Sequence, residues 1–519
     1  MKKLRIPLLS LILLPSFISC GHIDDFIGDG GGGDDDSPIE MNTVDFKFLN
    51  SFQVGGEGAA EISAFDAYSQ RLFVTNAESG AISVYDLSNV GSPVYVGDIV
   101  RDHVDPPNSV SAHNGLVVGA FENKDNFKEG YVKFFDSMTL EEVAYAKVGV
   151  LPDMVTFTPD GKYVVVANEG EPNDDYSVDP VGSISIVNVE TLASYTLGFE
   201  AFNGQEESLE AQGLRVFGPH ANLAMDLEPE YVAVSDDSKT AWVTLQENNG
   251  VAVVNLETKQ IESILPLGFK DHSQPGNEMD PSNEDGKLEL RSVPTFGMYQ
   301  PDAIAYYTVN GMDYIVTANE GDAREYEGHP GFIEEERIKD IVLDPSVFPD
   351  YETLQAEENL GRLKITTTLG DIDHDGDFDE LYSYGARSFT IWSGMGQLLY
   401  DSGNDIAMKT LDLTPEAFNG GIDDVDDRSD DKGAEPEAVT ILNMNDERQV
   451  LFVGLERNNQ IMVYDITNPS SPEFIQILSN TGDVGPEGLL VVDAADSPTG
   501  ETLLIVSNEV SGTVTIYEN

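Results

Sequence analysis

Seven times along the chain an acidic or amide side chain opens a short apolar run, usually just after a proline: Glu61, Asn108, Asp153, Glu230, Asp302, Glu437 and Glu487. A second set closes the apolar run that follows: Glu122, Glu169, Glu247, Glu320, Glu456 and Glu509, with Glu78 one residue out of step. Antiparallel neighbours place the start of one strand beside the end of the next, so both sets are expected on one rim. Carboxylates gathered there repel one another and need a cation, a proton or a hydrogen-bond donor. Hard oxygen ligands in this number suit Ca²⁺ better than Zn²⁺. The expected metal ligands of the rim are Asp153, Glu169, Glu230, Asp302, Glu320, Glu437 and Glu487, with Asn76, Asn168, Asn319 and Asn508 interleaved as amide donors. The competing reading is that the repeated acids lock one repeat to the next through backbone amides.

A different pattern stands at DIDHDGDFDE. Asp371, Asp373, Asp375, Asp377 and Asp379 alternate around Gly376, as at the start of a calcium loop in which glycine makes the turn and alternate oxygens converge. Asp377 is expected to contribute its carbonyl. The twelfth position is Tyr382 rather than the bidentate glutamate of an EF-hand, so Glu380 or a remote residue must complete the shell. Weaker candidates are Asp280, Asn283 and Asp285 in one loop and Glu171, Asn173, Asp174 and Asp175 in another. Arg324, Arg387 and Arg457 stand out because cations are scarce, and a forked guanidinium beside Ca²⁺ would suit a phosphate. On that alternative, Glu169, Glu320 or Asp302 acts as a base while Arg324 and Arg387 clamp oxygens. Ordinary salt bridges within the acidic excess are the simpler reading of these arginines. No G-x-S-x-G, P-loop, H-E-x-x-H or cysteine pair is present, so serine or zinc hydrolysis finds no support.

The elements that must carry these side chains are short strands. Apolar, β-branched and aromatic runs bounded by turn residues recur from Ala60, Pro107, Pro152, Pro229, Pro301, Pro436 and Pro486. In-phase copies predict an all-β, seven-bladed β-propeller (YVTN/WD40-like) over residues 44–519. The last copy holds about three strands, and the stretch from Phe46 is expected to supply the fourth and close the ring. An insertion at about 327–384, in blade five, reads as partly helical and as a candidate lid.

Composition sets the address. Lys+Arg 28 against Asp+Glu 93 gives a net charge of −65 over 519 residues, which repels nucleic acid and attracts cations. Residues 1–19 read as a signal peptide: Lys2, Lys3 and Arg5 precede an apolar run too short to span a membrane. Phe17-Ile18-Ser19-Cys20 is a lipobox-like end, and Cys20, the single cysteine, is the expected site of lipid attachment. Residues 20–43 form an acidic Gly/Asp-rich tether. The expected product is a monomer outside the cytoplasm, on the outer membrane or cell surface, meeting the membrane only through its lipid. It needs no organic cofactor and binds a protein, phosphate or mineral ligand.

VVVANEGEPNDDYSVDPVGSISIVNV, DLEPEYVAVS, MYQPDAIAYY, TANEGDAREY, LYSYGARSFTIW and GPEGL together resemble the choice-of-anchor I family. The resemblance runs over nearly all of residues 44–519. It implies a secreted or surface propeller, akin to mesenchyme-specific cell-surface glycoproteins tied to calcium biomineralisation. Some relatives are named alkaline phosphatases, and the acidic mouth is similar to that of β-propeller phytases. The resemblance therefore implies, as the alternative to a Ca²⁺-binding surface protein, a metal-dependent phosphoesterase.

Overall fold

Tyr163–Asn168 is apolar at almost every position, and nearly every position of it and of its neighbour Ser183–Asn188 is buried. Such runs suit the middle of a sheet covered on both faces. The chain is all-β with few helices. The computed structural model describes residues 43–519 apart from 101–106, 220, 327, 329–332, 422–423 and 445–447. The signal segment, Cys20 and the tether as far as residue 42 lie outside the described residues.

Seven four-stranded antiparallel sheets recur among the described residues. Their first strands are Ser63–Asp66, Pro107–His113, Pro152–Phe157, Val232–Val234, Ile304–Val309, Pro436–Met444 and Pro486–Val492. Each of these touches the next in order, and the last touches the first. The second strands are Arg71–Asn76, Leu116–Phe121, Tyr163–Asn168, Thr240–Leu245, Met312–Asn319, Arg448–Leu455 and Leu503–Asn508. In the last sheet the outer strand is Lys47–Gln53, paired antiparallel with Thr513–Glu518, so the segment near Phe46 supplies the missing strand. Apolar clusters fill the space between neighbouring sheets. Val165, Ile184 and Ile186 of the third, for example, meet Val243, Ala252 and Val254 of the fourth.

Proline at the start of four first strands has a local consequence. Pro107, Pro152, Pro436 and Pro486 face Phe121, Asn168, Leu455 and Asn508, and the register shifts immediately afterwards. An irregularity of this kind re-aims the side chain at the bulge. That side chain is Asn108, Asp153, Glu437 or Glu487, and the residue after the facing strand end is Glu122, Glu169, Glu456 or Glu509.

The insertion is partly helical, as expected, but it also contributes strands to a five-stranded sheet ordered Phe269–Asp271, Phe296–Met298, Tyr382–Ser383, Lys364–Thr366, Glu335–Arg337. Its helical content among the described residues is a turn at Ile338–Asp340 and another at Tyr351–Leu354. Ile338, Leu343, Phe348, Leu360, Leu363, Ile365 and Leu381 pack into a core of their own with Met279 and Val293. Pairing of Glu335–Arg337 with Lys364–Thr366 overrides the helical propensity of the glutamate-rich run.

The insertion leaves and re-enters the fifth sheet through two glycines. Gly321 and Gly385 hold φ of +89° and +67°, and their backbones are so close that a Cβ on Gly385 would sit 1.9 Å from the Glu320 carbonyl oxygen. Gly385→Ala is therefore expected to destabilise the fold by more than about 1 kcal/mol. Urea midpoints of the two proteins check it; equal midpoints would show that this crossing can relax. No helix among the described residues is long and apolar enough to cross a membrane.

Candidate functional site

The bulged strand starts converge. A cavity of about 280 Å³ is lined by Glu61, Asn108, Asp153, Asp302, Glu437 and Glu487, with Met154 and Tyr231 among the remaining walls, and among the described residues no lysine or arginine lines it. Glu230 stands next to Tyr231 in sequence. Its carboxylate lies with those of Glu169 and Glu247, one oxygen from each within 4.8 Å of the others. There a strand-start acid, Glu230, lies beside two strand-end acids, Glu169 and Glu247.

Burial, and then neighbouring carboxylates, raise the pKa values around this rim. Glu61 is pushed up to about 7, with Glu509 and Asp153 adding to burial. Asp153 also rises to about 7, with Glu122 and Glu247 as neighbours. Glu169, Glu230, Asp302, Glu437 and Glu487 are driven well above the usual carboxylate range. Hydrogen-bond donors are few. Asn108 Nδ2 donates to Glu122 Oε1 at 3.0 Å, and the Gly56 N–H donates to Glu78 Oε2 at 2.6 Å. Glu230 Oε2 and Glu437 Oε2 are buried and accept no hydrogen bond.

One sector of the rim carries its own cations. Lys432 Nζ contacts Glu320 Oε1 and lies 3.6 Å from Glu435 Oε2 and 4.0 Å from Asp322 Oδ1. Glu435 also pairs with Arg428 at 2.7 Å and Arg457 at 3.0 Å. Burial alone would raise the Glu435 carboxyl, but these three cations outweigh it and hold it down at about 2. Arg457 thus follows the simpler expectation of a salt bridge.

The structure corrects three sequence readings here. The guanidinium of Arg324 is buried, with Nη1 at 2.9 Å from Asp226 and Nη2 at 2.7 Å from Glu228, so both terminal nitrogens are engaged and neither clamps a ligand oxygen. Arg387 donates to the backbone carbonyls of Asp280, Ser429 and Asp431, and burial pulls it down to about 10. Asn76, Asn168, Asn319 and Asn508 tie neighbouring strands rather than offering amide oxygens to the rim. Asn168, fully buried, donates to the Ser183 carbonyl and Ser185 Oγ, while its Oδ1 accepts the Gly149 N–H. Asn319 donates to Ser388 and Thr390, Asn76 to Ser83, and Asn508 to Thr513.

The Asp371 loop forms two overlapping groups of oxygens: Asp371, Asp373 and Asp379, and Asp344, Asp377 and Asp379. Asp371 caps the turn by accepting the N–H groups of Asp375 and Gly376, each at 3.1 Å. Asp377 joins by its carboxylate as well as being available by its carbonyl. Asp375 enters neither group; its Oδ1 accepts the Asp377 N–H instead, at 3.3 Å. Glu380 accepts the Tyr382 hydroxyl. Of the weaker loops, Asp280 is held by the Glu289 N–H and Asn283 by Arg362, while Asp285 lies 3.7 Å from Arg291. Glu171, Asn173, Asp174 and Asp175 line a second cavity of about 660 Å³ with Glu122 and Phe127.

The sequence model of the choice-of-anchor I domain matches residues 61–469, from the first rim glutamate into the sixth sheet. The chain belongs to the choice-of-anchor I family. Gigasin-3a of Magallana gigas is 30% identical over 190 residues, which cover 32% of this choice-of-anchor I chain and 66% of that protein. The mesenchyme-specific cell surface glycoprotein of Strongylocentrotus purpuratus is 25% identical over 380 residues, covering 64% of this chain and 47% of that protein. The matches thus span under two thirds of either relative's length. Among solved structures, a hydrazine synthase chain of Kuenenia stuttgartiensis has a TM-score of 0.46 at 12% identity, covering 89% of this chain and 96% of that one. The Myceliophteria thermophila Cps50 (Swd1) β-propeller domain has a TM-score of 0.43 at 8% identity, covering 92% and 100%.

Four residues of this choice-of-anchor I chain were beyond the sequence pattern. Lys432 and Asp344 lie in loops with no repeat counterpart. Glu228 and Glu435 had a visible signal: both begin a Glu-Pro-Glu triplet, and the two triplets open the fourth and sixth sheets.

Proposed function

We propose that the seven four-stranded sheets are the blades of one closed β-propeller, lipid-anchored through Cys20 outside the cell, whose acidic mouth holds Ca²⁺. The observation that carries the reading is the cavity of about 280 Å³ lined by Glu61, Asp153, Asp302, Glu437 and Glu487, with no lysine or arginine among the described residues that line it. Buried carboxylates at this density are costly unless an opposite charge or a proton compensates them. Oxygen-only donors favour a hard cation over zinc. Asp371, Asp373 and Asp379, flanked by Asp344 and Asp377, form a second, more exposed candidate for the same ion. Surface display is supported by the lipobox-like Phe17-Ile18-Ser19-Cys20 and by a relative named as a cell surface glycoprotein. A mouth loaded with Ca²⁺ offers its open coordination positions to a phosphate, a mineral surface or a partner's carboxylates.

Calorimetry on the EDTA-stripped protein tests the mouth. Ca²⁺ is expected to bind, and the double variant Glu437→Gln/Glu487→Gln to weaken that binding by about tenfold or more, or about 1.4 kcal/mol. A stripped protein that takes up no Ca²⁺ would end this reading.

A further inference from the structure

We infer that Glu169, Glu230 and Glu247 form a discrete divalent-cation site between the third and fourth sheets, separate from the central cavity. The inference deepens the proposed function and rests on its reading of the rim as a place for hard cations. Glu169 directly follows the second strand of the third sheet. Glu230 precedes the first strand of the fourth sheet, held there by its N–H to the Thr244 carbonyl at 3.1 Å, and Glu247 follows the second. Three chain segments therefore deliver one carboxylate oxygen each to a space under 4.8 Å across. Glu247 is only 7% exposed.

Two observations separate this group from an ordinary acidic patch. Glu230 Oε2 is buried and, among the described residues, no hydrogen-bond donor reaches it. The second is a comparison within the same rim. Glu320, Glu435 and Glu456 also bring three oxygens within 4.8 Å of one another, and there the chain inserts Lys432 Nζ between Glu320 and Glu435. Among the described residues, no lysine or arginine forms an ion pair with Glu169, Glu230 or Glu247. Arg324, whose charge still acts on Glu247, makes its ion pairs with Asp226 and Glu228 instead, with its guanidinium 4.6 Å from the centre of the Phe217 ring. One triad holds a lysine within ion-pair distance; the other has none that close among the described residues, and the cation whose charge acts on it, Arg324 on Glu247, is already paired with Asp226 and Glu228.

The donor set names the ion class. Three carboxylates with no imidazole or thiolate select Ca²⁺, Mg²⁺ or Mn²⁺ over zinc or copper, and water or backbone carbonyls fill the remaining positions. Calorimetric Ca²⁺ titration of the EDTA-stripped full chain tests the site. Glu230→Gln is expected to remove one equivalent, or to weaken it at least about tenfold, while Glu437→Gln/Glu487→Gln leaves that equivalent in place. Crystals grown with Mn²⁺ should show an anomalous peak bonded to all three carboxylates. Glu169→Gln carries the same test should Glu230→Gln fail to fold. Unchanged stoichiometry and affinity in the triad variants, with no Mn²⁺ peak, would mean that protons alone neutralise the three acids. That result overturns the triad and leaves the central cavity standing. Loss of all Ca²⁺ binding in the unaltered protein overturns both.

Discussion

Stripped of divalent cations, the protein is expected to lose thermal stability as pH rises from about 5 to about 8, and millimolar Ca²⁺ is expected to restore it. The sign follows from the rim. Unfolded carboxylates titrate near 4, whereas burial and mutual repulsion push Glu61, Asp153 and Glu456 in the fold up to about 7. Between those limits the folded chain binds more protons than the unfolded one, so stability falls with rising pH. The protonated rim contributes fully below about pH 4 and its contribution is gone once pH passes about 7. Glu435 has the opposite sign, but its displacement to about 2 places its effect below this window. A bound cation replaces the proton as the compensating charge and flattens the dependence. Scanning calorimetry at pH 5, 6, 7 and 8, with EDTA and with Ca²⁺, measures it. The expected fall without metal is on the order of several degrees. A midpoint that stays level or climbs from pH 5 to 8 in EDTA would show that the rim acids are solvated and independent.

Why was the rim legible while its counter-ions were not? The positions of Glu61, Asp153, Glu437 and Glu487 follow from a repeat, and a repeat carries phase. Once the strands are assigned, antiparallel pairing puts strand starts beside strand ends. Lys432 obeys no such phase. It reaches Glu320 across 112 residues of sequence, from the loop that joins the fifth and sixth sheets. Asp344 reaches the Asp371 loop through a parallel bridge between Leu343 and Phe378, a long-range pairing without a local sequence mark. The asparagines misled for a different reason. Their recurrence before the rim glutamates is real, but an amide has both donor and acceptor, and a buried strand end needs both. Asn168 satisfies two side-chain donors and one acceptor within its own sheet and its neighbour, leaving nothing for an ion. The insertion misled because glutamate- and leucine-rich runs favour helix locally, while Glu335–Arg337 pairs with Lys364–Thr366 well along the chain and the apolar residues between pack into a core with Met279 and Val293.

Arg324→Met is expected to cost about 3–5 kcal/mol of stability, the penalty typical of breaking a buried ion pair from one side. Arg324 is 4% exposed, and its partners Asp226 and Glu228 are 2% and 3% exposed. Its Nη2 also donates to the Asp226 carbonyl at 2.7 Å, and its own N–H donates to Glu334 Oε2 at 2.8 Å. Glu334 in turn pairs with the buried Arg215, and both guanidinium groups lie over Phe217, at 4.0 and 4.6 Å. Removing Arg324 therefore strands two carboxylates in a dry interior, and truncation to methionine keeps most of the packing while deleting the charge. Arg324→Lys should recover only part of the loss, because an ammonium cannot reproduce the fork that spans Asp226 and Glu228. Arg324→Met/Glu228→Gln should also recover part of it, and the interaction term of that double-mutant cycle isolates the pair. Urea unfolding of the single and double variants gives the numbers. A phosphate clamp facing solvent would predict the reverse: little change in stability, and no coupling to Glu228. The outcome bears on the cation sites as well. If Arg324 is committed to Asp226 and Glu228, it forms no direct ion pair with Glu169, Glu230 or Glu247 and acts on Glu247 only from a distance, so most of the compensation of those three falls to bound protons or a cation from solution.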